Sequence, residues 1–211
     1  MEFKEGYAYH IKDDYFSKVN DDKLMQNKEN GNYRPTYFCM RDNKNPYLLW
    51  VVPMSTQIGK YDAIQKKQIE KYGKCLTIVI GEFDGKTNAF LLQNMFPVTP
   101  EYLSHVHTRN DNPVPVGHSL RKEIETNMKQ IKVLVSRGRK VVFPDISRLE
   151  QLMLAELEQE KTSVITAESV SNPEKQPMLE KIKTSTAQAK ENNANREKSD
   201  RHAKNKTEEI A

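Results

Sequence analysis

Thr36-Tyr37-Phe38-Cys39-Met40, followed after a short break by Tyr47-Leu48-Leu49-Trp50-Val51-Val52-Pro53-Met54, is the stretch that decides the fold. Both runs are rich in aromatic and β-branched residues, which pack better on a pleated surface than around a helix. Between them, Arg41-Asp42-Asn43-Lys44-Asn45-Pro46 has the Asp, Asn and Pro chemistry of a turn. The pair reads as a hairpin. Pro53 lacks a backbone donor, so the ladder should weaken there. Two hydroxyls, Ser55 and Thr56, follow at once.

Working outward from this hairpin, Tyr61, Ile64, Ile69 and Tyr72 fall at helical spacing, and Gly73 stands where a C-terminal glycine cap belongs. Cys75–Ile80 and Ala89–Met95 form a second apolar pair around Asp84-Gly85, a dipeptide suited to a tight two-residue turn. Their near-continuous hydrophobicity predicts strands covered on both faces. Thr99-Pro100-Glu101 has the chemistry of a helix start, with an N-cap hydroxyl, an early proline and an acid in the first turn. A longer helix is expected from about Ser119, with Leu120, Ile124, Met128, Ile131 and Val135 on one stripe and Gly138 at its end. Lys140–Phe143 reads as a last short strand. Asp145 then caps a final helix presenting Ile146, Leu149, Leu152 and Met153. Strands and helices do not alternate, so the expected class is α+β, a compact, strongly curved antiparallel sheet with inserted helices. Eight glycines, none in a GxGxxG or GxxxxGK pattern, argue against a nucleotide-binding fold.

Composition narrows the function classes. The 211 residues carry a net charge of +4 and a pI near 8.9, mildly basic and compatible with a polyanionic partner. No run approaches the roughly 18 apolar residues that span a bilayer, and Met1 to His10 is charged, so a cytoplasmic protein with no membrane partner is expected. Cys39 and Cys75 sit in apolar runs and read as buried, reduced thiols. Neither has a Cys or His at metal-ligand spacing, and the five histidines form no zinc pattern, so neither metal nor cofactor is expected. His105 and His107 flank one valine, which suits a polar helix end as well as a ligand pair. Residues 1–160 read as one domain. Residues 161–211 contain no aromatic residue, with ten Lys/Arg and eight Asp/Glu, a composition that cannot offset the entropy of ordering. They are expected to form a charged, disordered tail with a transient helix around Met178–Lys190.

Two constellations carry chemistry. Ser55 and Thr56 end the second strand, with Lys60 shortly after; hydroxyls and an ammonium suit a phosphate site as well as a helix cap. Tyr33-Arg34-Pro35-Thr36-Tyr37 enters the preceding strand and offers a guanidinium for phosphate and phenols for stacking on a base. His118, in a loop ahead of a helix, is a candidate acid or base as well as a structural residue.

The order of Tyr15, Asp21-Asp22-Lys23, Arg34-Pro35, Pro53-Met54-Ser55-Thr56 and Asn94-Met95-Phe96-Pro97-Val98 resembles the ToxN/AbiQ/CptN family of type III toxin–antitoxin endoribonucleases, closest to its CptN branch. The resemblance covers about residues 7–158. It implies a barrel-like sheet of the MazF/Kid type. It also implies a metal-independent endoribonuclease that leaves 2′,3′-cyclic phosphate and 5′-hydroxyl ends, acting in phage defence or plasmid maintenance. Its inhibitor would be a small pseudoknotted RNA antitoxin that the toxin excises from a repeat transcript, the two closing into a cyclic protein–RNA assembly. Carried over by residue, the resemblance places the site on Ser55, Thr56, Arg34 and Tyr15, and Lys60, the nearest lysine, completes the expected catalytic set. Tyr33, Tyr37, Arg41, Lys66, Lys67 and His118 are expected to bind RNA. The family often has lysine where Arg34 stands, and the lysine expected two positions after the hydroxyl pair meets Ile58 instead. A non-catalytic RNA-binding module and a protein-binding adaptor with a charged arm are the rival readings.

Overall fold

Every residue of the strand Leu49–Ser55 is buried, and the sheet is assembled on it. The computed structural model describes residues 3–29 and 31–171. In chain order these form β1 (Ala8–Ile11), α1 (Asp13–Val19), the ribbon β2 (Lys28–Glu29) and β3 (Asn32–Tyr33), β4 (Thr36–Arg41) and β5 (Leu49–Ser55). Then come α2 (Ile58–Tyr72), the hairpin β6 (Ile78–Phe83) and β7 (Lys86–Leu91), β8 (Phe96–Val98) and β9 (Leu103–Val106). A second ribbon, β10 (Thr108–Arg109) with β11 (Asn112–Pro113), precedes α3 (His118–Ser136) and α4 (Ile146–Ser171).

The main sheet runs β6-β7-β5-β4-β1-β9, with β8 also on β5, and its pairs are antiparallel. β5 changes partner along its length. It faces β8 from Leu49 to Val51 and β7 at Met54 and Ser55, and Pro53 falls in the gap between them. A residue without an N–H interrupts a ladder least at such a seam. Register breaks between Phe38 and Met40 and between Tyr9 and Ile11 bend the sheet. The path ends at β6 and β9, and among the described residues no pairing joins these ends into a closed barrel.

Side-chain alternation sends Tyr37, Cys39, Trp50, Val52 and Met54 to one face, against Ile124, Met128 and Ile131 of α3. Phe38, Leu49 and Val51 go to the other, against Tyr15 and Val19 of α1 and Leu149 and Met153 of α4. The α2 helix covers the hairpin through Tyr61, packed with Ile78, Ala89 and Leu91. A buried large apolar side chain contributes about 1.5–3 kcal/mol, against about 0.5–1.5 for one hydrogen bond. Side-chain pattern therefore outweighs the ladder in setting register. Gly81 of β6 admits Leu120 of α3 so closely that a Cβ there would lie 2.7 Å from it.

Several expected elements are in place. Gly73 caps α2 at a φ of 75°, Asp84-Gly85 turns the hairpin with φ of 53° and 68°, and Asp145 Oδ1 accepts the Arg148 N–H at 3.1 Å. Two others differ. Thr99-Pro100-Glu101 opens only a single 3-10 turn, because Leu103–Val106 pair with β1 and bury Leu103. Residues 140–143 form no strand; Val141 and Val142 pack on the α3-side core, and the Phe143 N–H donates to Gln93 O at 2.8 Å. Both cysteines are free, and burial pushes the Cys39 thiol well up from its ordinary range. No described helix is long and apolar enough to cross a membrane.

The chain divides into two units, residues 1–157 and 158–211. In the second, residues 158–171 are helical, which takes in the first part of the stretch expected as a disordered tail. The remainder of that stretch, with the transient helix expected at Met178–Lys190, lies outside the described residues.

Asp42, in the β4–β5 turn, ties the first unit together. Its Oδ2 accepts the Trp50 indole N–H at 3.2 Å and the Lys132 ammonium of α3 at 2.8 Å, and that ammonium lies 4.0 Å from the Trp50 ring centre. Burial alone would raise the Asp42 pKa, but hydrogen bonds from Lys132, the Lys44 N–H and Trp50 outweigh it and bring it from 3.8 to about 2. The contribution is present above the unfolded value and is lost as pH falls through about 2. Asp42→Ala should lower unfolding free energy by about 1.5–3 kcal/mol at pH 7. Urea titrations should show the gap to wild type narrowing from pH 4 downward.

Candidate active site

Where β5 reaches the surface, it forms one wall of an open cleft of about 340 Å³. Met54, Ser55 and Thr56 line that wall; Tyr33, Arg34 and Pro35 come from the entry to β4. Across from them stand Phe83, Asp84, Lys86 and Asn88 of the β6–β7 hairpin, and His107 just after β9. The seam at Pro53 creates this opposition, because it is there that β5 takes β7 as its neighbour.

Each group is held by its own element. Ser55 is buried, and its Oγ accepts the Gln57 N–H at 3.2 Å, a local turn that carries the chain into α2. Thr56 is exposed on the rim. Arg34 is buried, with Nη1 donating to Met54 O at 2.5 Å and Nε to Gln26 O at 3.3 Å. The guanidinium thus braces the end of β5 while placing its charge in the cleft wall. The Asn88 side-chain amide donates to Phe83 O at 3.1 Å and Lys86 O at 3.0 Å, stiffening the hairpin. Lys86 is exposed at the rim. Tyr33 is 44% exposed; its hydroxyl donates to Asp13 Oδ2 at 2.9 Å, and the Lys28 ammonium lies 4.4 Å from its ring centre.

The structure gathers Arg34, Ser55, Thr56 and Tyr33 into the cleft and places the other expected residues elsewhere. Tyr15 is fully buried between sheet and α1, stacked on Phe96, and its hydroxyl donates to Pro97 O at 2.8 Å. Burial raises its pKa well above the ordinary phenol value, so it is a core residue holding α1 to β8. Tyr37 is equally buried, on the α3 face. Lys60 stands in the first turn of α2 with its ammonium 5.4 Å from the Tyr61 ring centre, and it does not line the cleft. Lys66 pairs with Asp62 at 2.7 Å, and Lys67 is exposed on the same helix. Arg41 donates to Pro46 O and Phe3 O at the far end of β4. His118 is exposed at the start of α3, outside the cleft lining.

Three groups were missed from the sequence: Lys86, His107 and its partner Asp84. His107 Nε2 lies 3.2 Å from Asp84 Oδ2. In the sequence Asp84-Gly85 signals a turn, and that pattern carries no sign of a histidine partner 23 residues on. The His-Val-His spacing was visible, but its strand setting was not, since a helix was expected there. Antiparallel pairing brings His105 and His10 into a stack with centroids 4.5 Å apart, and His107 lies 5.8 Å from His10. Among the described residues, no three His, Cys, Asp or Glu side chains are grouped to hold a metal ion.

No family model and no curated protein matches the chain. Among solved structures, one described as "A processed non-coding RNA regulates a bacterial antiviral system" matches with a TM-score of 0.52 at 13% identity, over 69% of this chain and 95% of that one. The two share a fold. At that identity the likeness speaks for architecture, and it takes in nearly the whole of the other chain.

The histidine stack gives a pH-dependent expectation. Burial first, then His105 and His107, lowers the His10 pKa from 6.5 to about 4, and its Nδ1 is buried without a hydrogen-bond partner. Protonation in this range therefore favours the unfolded chain. The contribution is full above pH 6.5 and declines as pH falls toward 4. His10→Gln should flatten the fall in stability between those values, as read by urea unfolding at stepped pH.

Proposed function

We propose that the chain is the toxin of a type III toxin–antitoxin system, an endoribonuclease that cuts RNA without a metal. The observation that supports this best is the convergence of Ser55, Thr56 and Arg34 with Lys86 on one open cleft. A cleft with two hydroxyls and two cations suits a phosphodiester better than a neutral metabolite. The shared fold with a structure from an RNA-regulated bacterial antiviral system adds support.

The reaction is transesterification. The RNA 2′-hydroxyl attacks its own 3′-phosphate and gives a 2′,3′-cyclic phosphate and a 5′-hydroxyl. The nucleophile is part of the substrate and already near, so the protein needs to align it and stabilise charge. Thr56 holds a non-bridging oxygen from the rim, and Ser55 fixes the turn and presents its hydroxyl beside it. Arg34 and Lys86 balance the added charge of the phosphorane. Arg34 presents its charge through a planar guanidinium fork that matches phosphate geometry. Tyr33 offers a partly exposed ring for a flanking base. Lys60, Lys66 and Lys67 on α2 are assigned to RNA outside the cleft, where each phosphate contact is salt dependent.

The partner in this reading is a small pseudoknotted RNA that the toxin excises from a repeat transcript and that closes with it into a cyclic assembly. The bonds that Arg34 and Ser55 make within the protein also suit a module that binds RNA without cutting it.

One assay separates the two. Purified protein is incubated with pooled cellular RNA and with the repeat transcript from beside its gene, in excess EDTA, and new ends are mapped. Cleavage with cyclic-phosphate and 5′-hydroxyl ends is expected, and Thr56→Ala should slow it by about 10²–10³-fold. RNA retained without new ends would favour the binding module, and full activity in Thr56→Ala would remove the hydroxyl mechanism.

A further inference from the structure

The reaction proposed above needs a proton for the departing 5′ oxygen, and the phosphate-holding groups are poor sources of one. Guanidinium does not release a proton near neutrality, and the aliphatic hydroxyls are weak acids. Imidazole is the side chain suited to that exchange. Resting on that reading, we propose that His107 is the general acid of this cleft and that Asp84 is the residue that positions it.

The geometry is that of an acid with its orienting carboxylate. Asp84 Oδ2 lies 3.2 Å from His107 Nε2, which makes Nδ1 the working nitrogen. Nδ1 makes no hydrogen bond among the described residues and is not sealed from solvent. The ring cannot easily turn away. Phe83 lies 5.4 Å from it and His10 5.8 Å, centre to centre. Its backbone is clamped on both sides, the N–H donating to Ala8 O at 2.8 Å and the carbonyl accepting the Val114 N–H at 3.2 Å. Asp84 is fixed in turn by the hairpin, where its φ of 53° is held by the tight turn. The Arg109 guanidinium stands 3.8 Å from its Oδ1.

Neither neighbouring histidine fits the role as well. His10 does not line the cleft, and its Nδ1 is buried. His105 is exposed and shares a hydrogen bond with Ser104 Oγ at 3.0 Å. His107 is the histidine that lines the same cleft as Ser55 and Thr56.

In the step, the 2′-hydroxyl gives its proton to water as its oxygen forms a bond to phosphorus. The bond from phosphorus to O5′ breaks, and its electron pair leaves with O5′, which takes the proton from Nδ1 of the imidazolium. The ring, now neutral, regains a proton from solvent. Asp84 keeps the imidazolium oriented and does not itself transfer the proton.

The test uses full-length protein and an oligonucleotide carrying the cleavage site mapped on wild type. One version has the natural 5′ oxygen at the scissile phosphate, and the other has sulfur in that bridging position. A thiolate leaves without being protonated, so a missing acid matters little for the second. His107→Ala, His107→Gln and Asp84→Asn should cut the oxygen substrate at least about 100-fold more slowly than wild type, with RNA affinity unchanged. On the sulfur substrate all three should approach the wild-type rate. Variants that stay slow on sulfur, or a His107 variant that keeps full speed on oxygen, overturn the assignment. If wild type retains RNA and yields no new ends from which a cleavage site can be mapped, the endoribonuclease reading fails, and this assignment falls with it.

Discussion

Pro53 imposes the constraint on which the rest of the molecule depends. It sits in a strand buried along its whole length, where a residue without an N–H would ordinarily break a ladder. The chain accommodates it by letting β5 change partner at that point, β8 before and β7 after. Two groups of strands thus share one strand. On one side of the seam lie β8, β4, β1 and β9, and on the other the β6–β7 hairpin under α2. The cleft opens at this junction, which is why it is walled by residues from both groups.

The candidate site inherits its rigidity from secondary structure more than from contacts among the site's own side chains. Arg34 braces the end of β5 through Met54 O, Asn88 stiffens the hairpin through two carbonyls, and His107 is held by backbone bonds to Ala8 and Val114. A group placed this way needs little reorganisation to meet a charge that develops in a reaction, which is the condition for electrostatic stabilisation to matter.

Much of the fold was legible because its signals are local. Aromatic and β-branched runs around a polar turn gave β4 and β5, Asp84-Gly85 gave the second hairpin, and Gly73 and Asp145 marked helix ends. The same local chemistry misled at Thr99-Pro100-Glu101, where burial of Leu103 and pairing with β1 outweighed a good helix start. The cleft was legible in half. Arg34 precedes β4 while Ser55 and Thr56 end β5, and the hairpin legible in the sequence brings those two ends together, so their meeting could be read. His107 and Asp84 meet through two separate antiparallel pairings, a relation that no spacing encodes. Tyr15 and Tyr37 show the converse: a phenol offered for RNA by sequence order is taken by the core, because a large apolar ring gains more from burial than from a place at the rim.

The lining of the cleft runs from Asn32 to His107, about a third of the chain. Its last member is set in place only when β9 has paired with β1, the first strand made. A nascent chain that has released β4, β5 and even the hairpin therefore still lacks the complete surface. The cleft is complete only once about half the chain has been made and the sheet's distal edge returns to the N-terminal strand. A partial product, whether stalled or truncated before that point, would carry the pieces without the assembled cleft.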